Sequence, residues 1–110
     1  MKMQNGERAV VDIAKIRDYC LSPTHIRGRH KARVFAKALG VTQENSEYLA
    51  NALSRAATDE EAQPLSNNEY GARYVIDFEM QGPNGMKRVR SLWIVLAGED
   101  VPRFLTCYVL

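Results

Sequence analysis

Two histidines and five cations crowd one short stretch of the chain, PTHIRGRHKARVFAKALG at positions 23–40. His25 and His30 are the only imidazoles present, and Arg27, Arg29, Lys31, Arg33 and Lys37 accompany them with no acid among them. The stretch therefore carries +5 with histidine neutral, in a chain whose whole formal charge is +2. An imidazole changes protonation near neutral pH and an adjacent ammonium attracts phosphate. His30 with Lys31 is thus the smallest pair from which acid–base chemistry on a polyanion such as RNA can be built. A solvated basic helix face is the alternative reading of the same residues.

Metal-independent cleavage of RNA needs a base for the 2′-hydroxyl proton, an acid for the leaving 5′-oxygen, and donors that stabilise the crowded phosphate. His30 is the natural acid or base. Lys31, Arg88, Arg90 and Arg103 are candidate phosphate ligands, arginine being suited to bidentate contacts. Ser91, Thr106 and Tyr108 can supply hydroxyls. His25, in a loop after Pro23-Thr24, and Arg27 beside it could reach a bound ligand. Each has a structural alternative: His30 as a helix-terminal surface residue, Arg103 in a salt bridge to Glu99 or Asp100, Thr106 and Tyr108 as ordinary strand formers. The nuclease reading requires His30 and Lys31 to share a cleft with at least two of Arg90, Arg103, Thr106 and Tyr108. Arginines in that cleft should lack carboxylate partners.

Other chemistries find little support. There is no glycine-rich nucleotide loop, and Cys20 and His25 belong to no nucleophile motif. The histidines are five apart rather than four and acids are sparse in the basic portions, so no metal and no cofactor are expected. Cys20 and Cys107 are too few for a disulfide scaffold. They read as small buried hydrophobes in a reducing compartment, and a bridge between them is left open. The N-terminus, MKMQNGERAVVD, lacks the apolar centre of a secretory signal and no apolar run is long enough to span a membrane, so a cytoplasmic location is expected.

The elements that must position these residues change period once. With 110 residues, 45% apolar and 25% charged, the chain is sized for one ordinary domain spanning 1–110. Its helical half covers about 12–58. Asp12 caps a first helix through Ile13, Ile16, Tyr19 and Cys20, after a short possible strand at 9–11. A second helix runs from Gly28 or Arg29 to Leu39, with Ala32, Phe35, Ala36 and Leu39 as its apolar face and Gly40 as its stop. A third starts near Gln43 and buries Tyr48, Leu49, Ala52, Leu53 and Ala56. The polar stretch 59–69 reads as a loop. The sheet half, about 70–110, holds an alternating strand through Tyr74, Ile76, Phe78 and Met80, a Gly82-Pro83-Asn84-Gly85 turn, a return strand at 87–96, and a last strand with Phe104, Thr106 and Tyr108 on one face. The expected class is α+β: two or three N-terminal helices packed on a largely antiparallel sheet of three or four strands. The middle of the chain is acidic (Glu44, Glu47, Asp59, Glu60, Glu61) between two basic portions.

The stretches IAKIRDYCLSPTH, GRHKARVFAKALG, YGARYVIDFEMQGPNG, LWIV and PRFLTCYV, in this order over 13–109, resemble a small bacterial domain family of unknown function. That family is found alone and at the ends of large secreted polymorphic toxins. More loosely, an early His-Lys on a helix and a late Thr-x-Tyr on a strand resemble the superfamily of barnase, EndoU, colicin-type tRNases and RelE-like toxins. That resemblance implies a metal-independent endoribonuclease serving as a toxin. His30 would be the acid–base residue, Lys31 the phosphate ligand, Arg103 or Arg90 the transition-state stabiliser, and Thr106 and Tyr108 the groups that orient the phosphate. EndoU-like sites use two histidines, and His25 is the only candidate for the second, so the pairing of acid with base stays open. The implied partners are RNA and a cognate immunity or antitoxin protein. The alternative is a non-catalytic RNA-binding or protein-interaction module, an immunity or regulatory component.

Overall fold

A computed structural model describes all 110 residues. The Asp12 carboxylate accepts from the Ala14 N–H at 2.9 Å and starts α1, Ile13–Lys15, which widens without a break into a π-helical turn, Ile16–Cys20. The expected first helix is therefore present, wound more loosely at its end, with Ile16 and Cys20 turned fully inward. The second, α2, spans Arg29–Leu39 and stops at Gly40. Gly40 adopts φ 67°, so the Val41 N–H can reach back to the Phe35 carbonyl and close the last turn. After a 3-10 turn at Gln43–Asn45, α3 spans Ser46–Asp59.

Four strands follow as a simple antiparallel meander in chain order: β1 Ala62–Asn68, β2 Gly71–Gly82, β3 Gly85–Leu96 and β4 Arg103–Val109. The three helices and this sheet make the α+β domain that the periodicity predicts. The helices cover one face of the sheet. There Ile76, Phe78 and Met80 of β2, Val89 and Trp93 of β3 and Phe104 and Cys107 of β4 meet Ile16, Cys20, Phe35, Leu39, Leu49 and Leu53. Trp93 and Phe104 pack edge to face with centroids 5.6 Å apart. No helix is long and apolar enough to cross a membrane.

Four expectations change. The stretch 59–69 is mostly strand: β1 pairs with β2 through its backbone, while every one of its residues after Ala62 is exposed. An edge strand stacked against nothing needs no apolar alternation, which is why its sequence reads as a loop. The strand expected at 9–11 is a single parallel bridge, in which Val10 N–H donates to Pro102 O and Phe104 N–H donates to Val10 O, both at 2.9 Å. Ala36 and Tyr48 are exposed rather than core, and the Tyr48 hydroxyl donates to the Gln81 carbonyl at 2.8 Å. Finally, the β3–β4 register shifts at Leu92/Trp93, so Phe104 faces the core with Cys107 while Thr106 and Tyr108 do not share its face.

Two glycines fix the axis of α2, and hence the site. A Cβ on Gly28 would strike the Tyr19 carbonyl, and one on Gly82 would strike the Ala38 carbonyl. The helix thus lies in backbone contact with the end of the π turn at one end and with the β2–β3 hairpin at the other.

Candidate functional site

The N-terminal turn of α2 lies against the edge strand β4. His30, Lys31 and Val34 from the helix and Tyr108 and Val109 from the strand line an open depression of about 280 Å³ containing no carboxylate. His30 is exposed, and Lys31 is half-buried because two aromatic rings flank its ammonium. The Lys31 Nζ stands 5.3 Å from the Tyr108 ring centroid and 5.8 Å from that of Tyr19. Aromatic faces attract a cation without neutralising it, so Lys31 is held in place yet keeps its whole charge for a ligand. No ion pair involves Arg27, Arg29, His30, Lys31, Arg33 or Lys37.

His25 has a different occupation. Its Nδ1 accepts from the backbone N–H groups of Arg27 and Gly28 at 3.1 and 3.2 Å, which stabilises the turn into α2. Its ring meets Tyr19 edge to face at 4.7 Å. With Nδ1 an acceptor, the neutral ring carries its proton on Nε2. Arg27 is exposed beside it. His25 therefore supports the Tyr19 ring that flanks Lys31, and does not line the depression.

The structure does not bring the arginines to Lys31 as free groups. Arg90 stands opposite Asp77 on β2 and Tyr108 on β4, on the sheet face away from the helices. It donates through Nε and Nη2 to the two Asp77 oxygens, both at 2.9 Å. This bidentate pair holds the Asp77 carboxyl below the usual carboxylate range and raises Arg90 further, with the Tyr108 phenol adding to the latter. Arg88 approaches the same carboxylate at 3.7 Å. Arg103 lies five residues from Tyr108 along β4, about 16 Å away, and donates to Glu99 at 3.0 and 3.3 Å, so the salt bridge is its observed role. The condition that cleft arginines be unpaired is not met by Arg90 or Arg103. Ser91 is fully buried, accepting from Trp93 Nε1 at 2.8 Å and donating to the Ile76 carbonyl at 2.7 Å. It cannot touch a ligand. Its work is to pair the indole N–H inside the core.

Thr106 turns toward a feature that linear reasoning missed. Its Oγ1 lies 3.9 Å from Cys20 Sγ, and Cys20 also meets Cys107, so the two thiols of the chain are neighbours in the core. Their interaction shifts their acidities in opposite directions. Hydrogen bonding from Cys107 lowers Cys20 to about 6, with help from Thr106 and the Lys31 charge, while the same contact and burial push Cys107 up. Tyr19 and Cys20 reach Lys31 and Thr106 from a different element, and no local spacing signals the meeting. No three His, Cys, Asp or Glu side chains gather as a metal site.

Thus His30, Lys31 and Tyr108 come together; of the other three expected cleft partners Thr106 stands behind them against Cys20, Arg90 adjoins Tyr108 but is engaged and Arg103 lies elsewhere, as do Arg88 and Ser91, so the depression has one of the two partners expected. Among solved structures, a chain of the contact-dependent growth inhibition toxin–immunity protein complex from Klebsiella pneumoniae 342 is similar, with a TM-score of 0.70 and 21% identity. The likeness covers 92% of this chain and 99% of that one, and establishes a shared fold. No curated protein matches the chain. The family described as Domain of unknown function (DUF6883) matches residues 2–110, and the chain belongs to that family.

Proposed function

We propose that this domain is a metal-independent endoribonuclease of the toxin type, with His30 as the proton-transfer group and Lys31 as the phosphate ligand. The observation that carries the reading is the Lys31 ammonium held between the Tyr19 and Tyr108 rings, beside an exposed imidazole, in a depression with no carboxylate. A phosphodiester placed over Lys31 has its charge neutralised there. His30 takes the proton of the 2′-hydroxyl as that oxygen attacks phosphorus, and the 5′-oxygen leaves with a proton from water, to which the depression is open. Tyr108 orients the phosphate from the strand side, and Thr106 keeps Cys20 and the strand in register with the helix. Arg90 acts at one remove, by fixing Tyr108. The shared fold with a chain of a toxin–immunity complex supports a role in such a pair, with a cognate protein as partner.

A second reading has its own support: one histidine is free and the sheet-face arginines are engaged. This is the arrangement of a non-catalytic RNA-binding or protein-binding module, an immunity or regulatory component. Total RNA incubated with the protein in EDTA separates the two. A nuclease cleaves, and His30→Ala lowers the rate about 10²- to 10⁴-fold while preserving the circular dichroism spectrum. Salt-sensitive binding without turnover would establish the module instead, and equal cleavage by both proteins would remove His30 from the chemistry.

A further inference from the structure

The basic residues of α2 do not end at His30 and Lys31. Arg33, Val34 and Lys37 lie three, four and seven residues beyond His30, on the same side of the helix. With Ala38, Asn84 and Lys87 they line a second groove of about 370 Å³, between α2 and the β2–β3 hairpin. Val34 borders both this groove and the His30–Lys31–Tyr108 depression, so the two adjoin across its side chain. Arg33, Lys37 and Lys87 come from two separate elements, and none has a carboxylate partner. Elsewhere Arg88, Arg90 and Arg103 all have one. Three like charges converging unpaired on a groove repel one another, and a bound anion relieves that repulsion.

Gly82 has a part in the arrangement. Its missing side chain lets the hairpin approach the Ala38 carbonyl, which brings Lys87 and Asn84 beside Lys37. At 1.5 Å rise per residue the two together extend about 10 Å along the helix from His30 to Lys37. A strand seated at Lys31 that crosses the Val34 side chain would meet Lys37 and Lys87 next, with Arg33 at the groove's other rim. The Val34 side chain, exposed between the two groups of cations, offers an apolar surface to a base or ribose on the way.

We propose that this groove is a second anion subsite, in which Arg33, Lys37 and Lys87 hold the backbone phosphates of the RNA strand flanking the one bound at His30 and Lys31. The inference rests on the RNA reading of the depression and adds the direction of the strand: along α2 toward the β2–β3 hairpin, not across the sheet. The test uses a fluorescently labelled oligouridylate, with binding followed by anisotropy over a series of salt concentrations, for the wild type, a Lys37→Gln/Lys87→Gln variant and an Arg88→Gln/Arg103→Gln variant. The last two lose the same charge. Removing two phosphate contacts should lower the slope of log affinity against log salt by about 1.4, at about 0.7 per contact on a single strand. The arginine variant should retain the wild-type slope. An unchanged slope in the lysine variant, with wild-type binding intact, overturns the subsite and leaves the RNA reading standing. Equal losses in both variants overturn it as well, since only net charge would then matter. A wild type that binds no oligouridylate overturns both the subsite and the RNA reading.

Discussion

The two cationic regions of this domain contain the same residue types and behave in opposite ways. On the sheet face away from the helices, Arg88 and Arg90 close on Asp77, and at the far end of β4 Arg103 closes on Glu99. On α2, Arg33 and Lys37 make no ion pair, and Lys31 is flanked by aromatic rings instead. A guanidinium that already grips a carboxylate in bidentate fashion must give up those bonds before it can bind a phosphate. An ammonium steadied by ring faces gives up nothing comparable. Counting cations finds both regions, and only the placement of acids separates them.

Removing one cation from each region gives the largest difference. Lys31→Ala should weaken RNA cleavage by about ten- to a hundredfold, the value of a hydrogen bond to a charged group. Arg103→Ala should leave the rate within a factor of about two, because it removes a surface pair that faces no ligand. Cleavage rates of the two variants side by side check this, and a larger loss for Arg103→Ala would reverse the assignment of the regions.

Ser91 gives the next effect in size, and it concerns stability. Ser91→Ala leaves the Trp93 indole N–H buried without its acceptor, which costs about 1–3 kcal/mol. Urea unfolding should show that loss, with the affinity of the remaining folded protein for RNA unchanged. A binding defect at full stability would instead return Ser91 to the site.

The smallest effect is electrostatic. Asp77 has its folded-state pKa depressed, chiefly by the Arg90 hydrogen bonds. Its contribution to stability is therefore present above the ordinary carboxylate value and is lost as pH falls through the depressed one. Between about pH 5 and 3 the wild type should lose stability relative to Asp77→Asn, which lacks that titration. Thermal melts of both proteins across this range check the sign.

How much of this was legible in the chain varies by element. The bounds of α2 follow from its glycines and its apolar spacing, and the β2–β3 hairpin from Gly82-Pro83-Asn84-Gly85. A turn closing Gly82 on Gly85 places Asp77 opposite Arg90, so the engagement of that arginine was written in the register. The strand β1 was hidden for a physical reason: beyond Ala62 an exposed edge is held by backbone hydrogen bonds, to which side-chain periodicity is blind. The bulge in β4 was hidden as well, since alternation looks unbroken until the partner strand shows the shift. His30, Lys31 and Tyr108 were legible as residue types. Their meeting, and the Tyr19 ring behind Lys31, come from packing between elements far apart in the sequence.

The proposed anion site lies where cations are left unpaired along α2. Backbone amide shifts in an isotope-labelled sample, followed by NMR during titration with a short oligouridylate, test it most directly. The responding amides should cluster along α2 from His30 to Lys37, at Tyr108 and Val109 and at Lys87, while those around Glu99 and Arg103 stay still. Shifts centred on Asp77, Arg88 and Arg90, or on the turn before Arg103, would contradict it.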